Sequence, residues 1–290
     1  MSPLRRDLDQ TAALLIEALP YIRRFAGSVM VVKYGGNALS GTDDADALAS
    51  FAEDIVLLQA VGITPVVVHG GGPQIAELLA RVGKQSEFID GLRVTDAETL
   101  DLARMVLVGK VNSDIVAAMN VHGPVAVGLS GGDANLITAD LRSEKLGFVG
   151  NVVSIDPTII ERLVAQNIVP VIATIGTDTA GQSYNINADT VAGAIAAALD
   201  AEKLIFLTDI PGLRSDIADP LSTLVEVTTT ELDEMVASGA ASGGMVPKVE
   251  ACAMAVRSGV RRAHILDGRV AHALLVELFT DGGAGTMVVP

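Results

Sequence analysis

"TPVVVHGGGPQIAELLA", residues 64–80, carries the fold in miniature. A short apolar run of β-formers ends directly in Gly70, Gly71 and Gly72, and Pro73 then stands where the first turn of a helix accepts it. A strand that passes through glycines into a helix is the opening half of a βαβ unit. The glycines would expose several backbone N–H groups at the positive end of a helix dipole, an arrangement suited to an anion. The spacing matches neither a P-loop nor a G-x-G-x-x-G fingerprint, so a purely structural tight turn stays open as the alternative. His69 reads as a satisfied strand-end histidine and not as a base.

"SVMVVKYGGNAL", residues 28–39, has the same grammar with one addition. Val29, Val31 and Val32 read as a buried strand, yet Lys33 sits inside it, with Gly35 and Gly36 just behind. A strand interior is a poor place for an ammonium group unless something negative meets it, and two glycines let the backbone come close to that partner. We read the partner as a phosphate group.

Working outward, short apolar runs alternate with helix-period segments along most of the chain, which implies α/β construction on a parallel sheet. Strands are expected over 28–34, 64–69, 125–129, 169–174, 203–208, 263–266 and 285–289. Helices are expected over 46–61, 73–82, 96–108, 112–121, 157–166, 189–199, 230–238, 247–258 and 270–279. Thr95 with Glu98 and Thr228 with Glu231 fit capping boxes; Asp156 precedes Pro157 as an N-cap would, and Gly259 suits a helix C-terminus. Residues 138–155 break the alternation and read as a hairpin excursion of antiparallel strands. Residues 8–26 have helical spacing at Leu8, Ala12, Leu15 and Leu19, and Pro20 is expected to kink or end that helix. Its apolar face must dock either on the body of the protein or on another subunit. A fresh strand after an Ala-rich helix marks a boundary near residue 200, giving two lobes that share one sheet.

The chain of 290 residues is long enough for a sizeable core, and with 50% hydrophobic but only 3% aromatic residues that core is aliphatic. A net charge of −15 argues against nucleic acid as a partner. No apolar run is long enough to span a bilayer, and the charged start "MSPLRRDLDQ" does not resemble a secretion signal. The single cysteine, Cys252, suits a reducing cytoplasm and reads as a small buried hydrophobe.

Three further stretches carry charge in informative places. In "SGGMVPKVEACAMAVRSG", residues 242–259, Gly243 and Gly244 precede a helix and Lys248 lies in its first turn. A cation there is unfavourable beside the helix dipole unless an anion binds. In "SYNINADTVAGAIAAAL", residues 183–199, Asn185, Asn187 and Asp189 crowd before a nearly uncharged helix. Asp189 suits an N-cap or a carboxylate that orients lysines, and the residue pattern alone leaves both readings standing. In "FIDGLRVTDAETL", residues 88–100, Arg93 could grip a carboxylate through two parallel hydrogen bonds. No Ser-His-Asp set, zinc-spaced cluster or strong general base accompanies these residues. The combination fits phosphoryl transfer to an acceptor already ionised at neutral pH, which needs no base and depends on positioning and charge.

"KYGGNA", "HGGGPQI", "GLRVTD", "GLSGGDANLI", "NINADTVAGAIAAAL", "LTDIPGL", "SGGMVPK" and "GAGTMV" occur in the order found in the N-acetylglutamate kinases of the amino acid kinase superfamily, which this chain resembles over essentially its whole length. The resemblance implies a three-layer αβα sandwich on a mainly parallel open sheet, the carbamate kinase-like fold. It implies an N-terminal arm over 1–27, an acylamino-acid lobe over 28–200 and a nucleotide lobe over 201–290. It further implies ATP-dependent phosphorylation of the side-chain carboxylate of N-acetyl-L-glutamate, the second step of arginine synthesis. By the same resemblance Lys33 and Lys248 would stabilise the moving phosphoryl group, and Asp189 would hold both. Gly35, Gly36, Gly71 and Gly72 would donate N–H groups, Arg93 would hold the α-carboxylate, and Asn185 would touch the acylamino acid. Thr208, Asp209 and Gly212 fall in the nucleotide loop, and Mg²⁺ would arrive on the ATP phosphates.

Residues 8–26 are similar to the extra helix of arginine-inhibited hexameric members, built as trimers of dimers. Tyr21, Lys203, Glu277 and the glycine-rich tail that includes Gly285 are then the effector-site candidates for L-arginine. The nearest rival is a kinase for another acylated amino acid, such as N-acetylaminoadipate. A non-catalytic sensor on the same fold would not need Lys33, Lys248 and Asp189 together, and a dinucleotide oxidoreductase lacks its glycine spacing.

Overall fold

The computed structural model describes residues 3–35, 44–216, 219, 222–241 and 245–290. Gly36, Gly243 and Gly244 lie outside the described residues.

Helix α1 (Pro3–Phe25) leads into strand β1 (Val29–Tyr34), and the alternation then proceeds through α2 (Asp44–Ala60), β2 (Thr64–His69) and α3 (Gly72–Arg81). A short hairpin, β3 (Phe88–Ile89) and β4 (Leu92–Arg93), turns on Asp90 and Gly91, both at positive φ. Helices α4 (Ala97–Arg104) and α5 (Asn112–Asn120) follow, then β5 (Ala126–Ser130), β6 (Ile137–Leu141), β7 (Gly150–Ile155), α6 (Thr158–Val164), β8 (Val169–Ala173), β9 (Ile175–Thr177) and β10 (Ser183–Asn185). The remainder is α7 (Ala188–Ala198), β11 (Lys203–Thr208), β12 (Glu226–Thr228), α8 (Thr229–Ala237), α9 (Val246–Arg257), β13 (Arg262–Asp267), α10 (Ala273–Phe279) and β14 (Gly285–Val289).

Eight strands form one sheet in the order β12-β14-β13-β11-β1-β2-β8-β5. Its pairs are parallel except β13 with β14. Both faces are covered, as the continuous Val/Ile runs of a parallel sheet require. Val31, Leu204 and Phe206 pack with α7 and α9 on one face, while Met30, Val32 and Tyr34 pack with α2, α5 and α10 on the other. Three layers result. Strand β11 pairs directly with β1, so residues on either side of position 200 share one sheet. The excursion at 138–155 is the expected antiparallel hairpin, β6 with β7, extended by β9 and β10 into a second sheet ordered β10-β9-β6-β7.

Local expectations met the structure unevenly. The Thr228–Glu231 capping box forms, and Gly259 takes φ +110° beyond α9; the Asp156 carboxylate accepts the Thr158 N–H at 3.0 Å, but α6 begins one residue later than expected, with Pro157 at the cap position. The Thr95–Glu98 box does not form. Asp96 caps α4 by accepting from Thr99 N–H at 2.8 Å, while Thr95 is buried one residue earlier and its hydroxyl donates to the Arg93 carbonyl. The helices expected over 96–108 and 112–121 are one continuous run, because residues 105–111 form a π-helical turn that absorbs the change of phase between α4 and α5. Helix α1 runs on through Pro20. Its C-terminal end docks through Phe25, Tyr21 and Ile22, whereas Leu14, Leu15 and Ile16 are 62%, 71% and 69% exposed.

Candidate active site

Alternation along β1 puts Lys33 on the same face as Val31, toward α7, and leaves Tyr34 on the other. Helix α7 begins one residue before a first-turn carboxylate, Asp189. Its N-cap is Asn187, whose side chain accepts the N–H groups of Asp189 and Thr190 at 2.8 and 3.1 Å. This decides between the two readings of Asp189. With the cap already filled, the Asp189 carboxylate meets Lys33 Nζ at 2.8 Å through Oδ1 and Lys248 Nζ at 3.3 Å through Oδ2. Lys33 and Asp189 are both buried. Burial works to raise the Asp189 carboxyl, but the two ammonium groups prevail and hold it below its ordinary range. Lys248 is in the first turn of α9, directly after Pro247.

The glycine loops come together beside this cluster. The Gly70 N–H donates to the Tyr34 carbonyl at 3.3 Å, and a Cβ on Gly35 would stand 3.1 Å from Gly70 N. A Cβ on Gly71 would fall 2.8 Å from Leu107 Cδ2, so the loop lies tight against the π-helical turn. Gly72 opens α3, and a Cβ there would meet nothing within 4 Å.

Arg93 stands at the end of β4 and is buried. Its guanidinium donates to the Gly72 carbonyl at 2.9 Å and to the Ser86 hydroxyl, and lies 4.8 Å over the Phe88 ring. No carboxylate pairs with it among the described residues. A buried guanidinium without a counter-ion is a site prepared for an anion. A cavity of about 200 Å³ has Lys33, Gly71, Gly72, Arg93, Asn185 and Asp189 all in its wall. Those six residues come from four separate stretches of sequence. The wall holds the Lys33–Asp189 pair as well as the Arg93 guanidinium, and Lys248 stands behind it on the second oxygen of Asp189.

Thr208, Asp209 and Gly212 lie elsewhere, at the C-terminal end of β11. Lys33 is in register with Phe206, so Thr208 is on the same face two residues further along. Thr208 donates its hydroxyl proton to Asp209 at 3.1 Å. Gly212 has φ +150°, and a Cβ there would fall 2.7 Å from Thr286 Oγ1, so that turn admits only glycine.

The effector-site candidates also cluster. Lys203 Nζ is 2.9 Å from His264 Nε2, and His264 Nδ1 is 2.6 Å from Glu277 Oε1. The Ala284 N–H donates to Glu277 Oε2 at 2.6 Å, one residue before Gly285, and Lys203 lies 5.2 Å over the Phe25 ring of α1. Tyr21 sits on the same helix and donates to Asp281. Burial pushes the Lys203 ammonium down to about 8.

Sequence reasoning passed over several of these neighbours. Thr95 connects two site residues, donating to the Arg93 carbonyl at 2.8 Å while accepting from Asn185 Nδ2 at 3.4 Å. Ser86, Phe88, Leu107 and His264 were likewise unmarked; the Asp90-Gly91 turn was a usable sign that Phe88 folds back on Arg93. His69 is satisfied as expected, with its ring nitrogens 2.9 Å from the Gly70 carbonyl and 2.9 Å from Asn112 Nδ2. Cys252 is a buried helix residue whose thiol burial pushes far up.

The model of the amino acid kinase family matches residues 28–267. The acetylglutamate kinase of Symbiobacterium thermophilum is 52% identical over 98% of this chain and 99% of its own. The chain belongs to the amino acid kinase family. Among solved structures, this kinase superposes on the N-acetylglutamate synthase of Neisseria gonorrhoeae, complexed with coenzyme A and N-acetyl-glutamate, with a TM-score of 0.84. That match is at 28% identity and covers 96% of this kinase and 63% of the synthase. The same synthase complexed with coenzyme A and L-arginine gives a TM-score of 0.80 over 96% of this kinase and 65% of that chain. The carbamate kinase of Giardia lamblia bound to AMP-PNP, 19% identical, shares the fold with a TM-score of 0.66 over 91% of this kinase and 99% of that chain.

Proposed function

We infer that this kinase transfers the terminal phosphoryl group of ATP to the side-chain carboxylate of N-acetyl-L-glutamate, giving N-acetyl-L-glutamyl 5-phosphate and ADP in arginine biosynthesis. The observation that carries the reading is a cavity walled by the Arg93 guanidinium, which has no carboxylate partner among the described residues, and by the Lys33–Asp189 pair, with Lys248 on the second oxygen of the same aspartate. A dicarboxylic acylamino acid has one anion for the guanidinium and another for the reaction beside the lysines. Arg93 holds its α-carboxylate and Asn185 faces its acylamino portion. A side-chain carboxylate oxygen attacks the terminal phosphorus while the bond from that phosphorus to the bridging oxygen breaks, and the electron pair leaves with ADP. No proton is removed from the acceptor, in keeping with a site that offers Asp189 as an ion-pair partner and His69 as a buried, neutral ring.

Charge on the phosphoryl oxygens is met by Lys33 and Lys248, and Asp189 keeps the two ammonium groups apart and aimed. Gly35, Gly71 and Gly72 donate N–H groups to phosphoryl and substrate oxygens, with Gly36 assigned the same part. Thr208, Asp209 and Gly212 contribute to the nucleotide site, and Mg²⁺ enters on the phosphates of ATP. We assign residues 28–200 to the acylamino acid, 201–290 to the nucleotide and 1–27 to an arm. The exposed Leu14, Leu15 and Ile16 support that arm as a subunit contact, in a hexamer made of three dimers. The Lys203–His264–Glu277 cluster beneath α1, with Tyr21 and Gly285 at its border, supports feedback inhibition by L-arginine, as does the L-arginine complex of the Neisseria synthase. A cytoplasmic enzyme suits a chain whose single cysteine is buried.

Coupled ADP release with N-acetylglutamate, with N-acetylaminoadipate and without acceptor tests the reaction. Turnover dependent on N-acetylglutamate is expected; ADP release indifferent to acceptor would overturn it. Arginine added to the same assay, with sedimentation of the full chain and of a chain lacking residues 1–27, tests regulation and assembly.

A further inference from the structure

We propose that Asn112 is a positioning residue for phosphoryl transfer, acting through His69 to aim the amide groups of the glycine loop after β2. The proposal rests on the assignment of Gly71 and Gly72 as anion donors. His69, the last residue of β2, is fully buried, with Nδ1 2.9 Å from the Gly70 carbonyl and Nε2 2.9 Å from Asn112 Nδ2. The same Asn112 nitrogen is 2.8 Å from the Val171 carbonyl, which can only accept, so this end of the side chain is the NH₂ group. An NH₂ group only donates. His69 Nε2 must therefore be the bare nitrogen, and Nδ1 carries the proton that is donated to Gly70. Burial lowers the ring to about 4, which keeps it neutral at working pH.

The seat for Asn112 is built from both sides. A Cβ on Gly128 of β5 would fall 1.9 Å from Asn112 Oδ1, so glycine there is what admits the amide. The π-helical turn ends where Asn112 begins, and its Leu107 and Val111 would lie 2.8 and 3.2 Å from a Cβ on Gly71. One turn of helix thus fixes the loop by contact at Gly71 and by hydrogen bonding at Gly70. In a trans peptide the C=O and the following N–H point in opposite directions. Pinning the Gly70 carbonyl with His69 therefore turns the Gly71 N–H the other way, and that N–H has no hydrogen-bond partner among the described residues. It is left for the anion in the cavity.

The test uses the full-length protein labelled with ¹⁵N-histidine, whose four histidines keep the spectrum readable, together with Asn112→Ala. In the wild type the His69 ring is expected as the neutral Nδ1–H tautomer, unchanged from pH 8 to pH 5. In Asn112→Ala, assayed well below its unfolding midpoint, the tautomers should mix. There kcat should fall at least tenfold, and by a larger factor than any rise in KM for N-acetylglutamate, because Arg93 donates to the Gly72 carbonyl of this loop but keeps its contacts with Ser86 and Phe88 outside it. An Nε2–H tautomer in the wild type overturns the proposal without need of the variant. So does a folded Asn112→Ala enzyme with mixed tautomers and wild-type kcat. A wild type that does not phosphorylate N-acetylglutamate would sink the assigned reaction instead, and the tautomer would still decide the hydrogen-bond chain.

Discussion

Replacing Asp189 by asparagine should separate stability from catalysis. The substitution keeps shape and removes one charge from a cluster of three, leaving Lys33 with a side chain only 6% exposed and Lys248 at 20%. An ion pair near 3 Å is worth several kcal/mol at an effective dielectric constant near 20. Breaking a buried pair by removing one partner costs about 3–5 kcal/mol. Lys248 can turn toward water, so the lower end of that range applies, and a chain of this size should lose roughly 6–12 °C in Tm. The kcat should fall by about 10²–10³, since neither ammonium is then aimed at the phosphoryl group. Nucleotide distinguishes this account from a general loss of packing. ATP phosphates re-pair the stranded lysines, so saturating nucleotide should raise the Tm of Asp189→Asn by more than it raises that of the wild type. Thermal scans with and without a non-hydrolysable ATP analogue, beside initial rates, give both quantities. Equal nucleotide shifts in the two proteins, or a variant with wild-type Tm and kcat, would refute the reasoning.

Lys248→Ala should lower kcat by orders of magnitude with a smaller change in acceptor KM and little change in Tm, because its partly exposed ammonium is needed only when charge builds up; steady-state kinetics decide this. Arg93→Ala should raise KM for N-acetylglutamate about a hundredfold, and Arg93→Lys should recover little of it, since a lysine cannot reproduce the forked grip or the stack on Phe88; titrations of the acceptor check both. Acid should expose His69. Its ring is held near 4 in the folded protein against 6.5 when free, so the unfolded chain binds the extra proton and stability is lost as pH falls from 6.5 to 4, by about 3 kcal/mol. Asp54, raised to about 6 by burial, favours the folded state as pH falls through the same window, so the quantity to measure is the difference in denaturant stability between the wild type and His69→Asn.

Whatever depends on neighbours in the chain was legible in the sequence. The strand–glycine–helix stretches, the Thr228 capping box, the antiparallel excursion and the lysine set in a β-run are each patterns within one short stretch of chain, and each has a local cause in backbone conformation or side-chain period. Those patterns were enough for an α/β sheet, and they also singled out the charged residues of the site. Thr95 shows where such reasoning ends: a Ser/Thr-x-x-Glu spacing suits a cap, but Asp96 beside it competes for the same N–H groups, and the winner depends on Thr95 being drawn inward to Arg93 and Asn185.

The assignments left to tertiary structure all involve partners far apart in sequence. Asp189 is 156 residues from Lys33 and 59 from Lys248, and nothing near it in the chain distinguishes a helix cap from a clamp for two lysines. That choice was made by Asn187 taking the cap and by the sheet bringing β1 beneath α7. The absence of a counter-ion for Arg93 among the described residues and the seating of Asn112 against His69 and Gly128 are of the same kind. A residue's propensity is set by its own chemistry and its nearest neighbours, but whether its charge is paired, buried or left open to a ligand depends on what the fold packs against it.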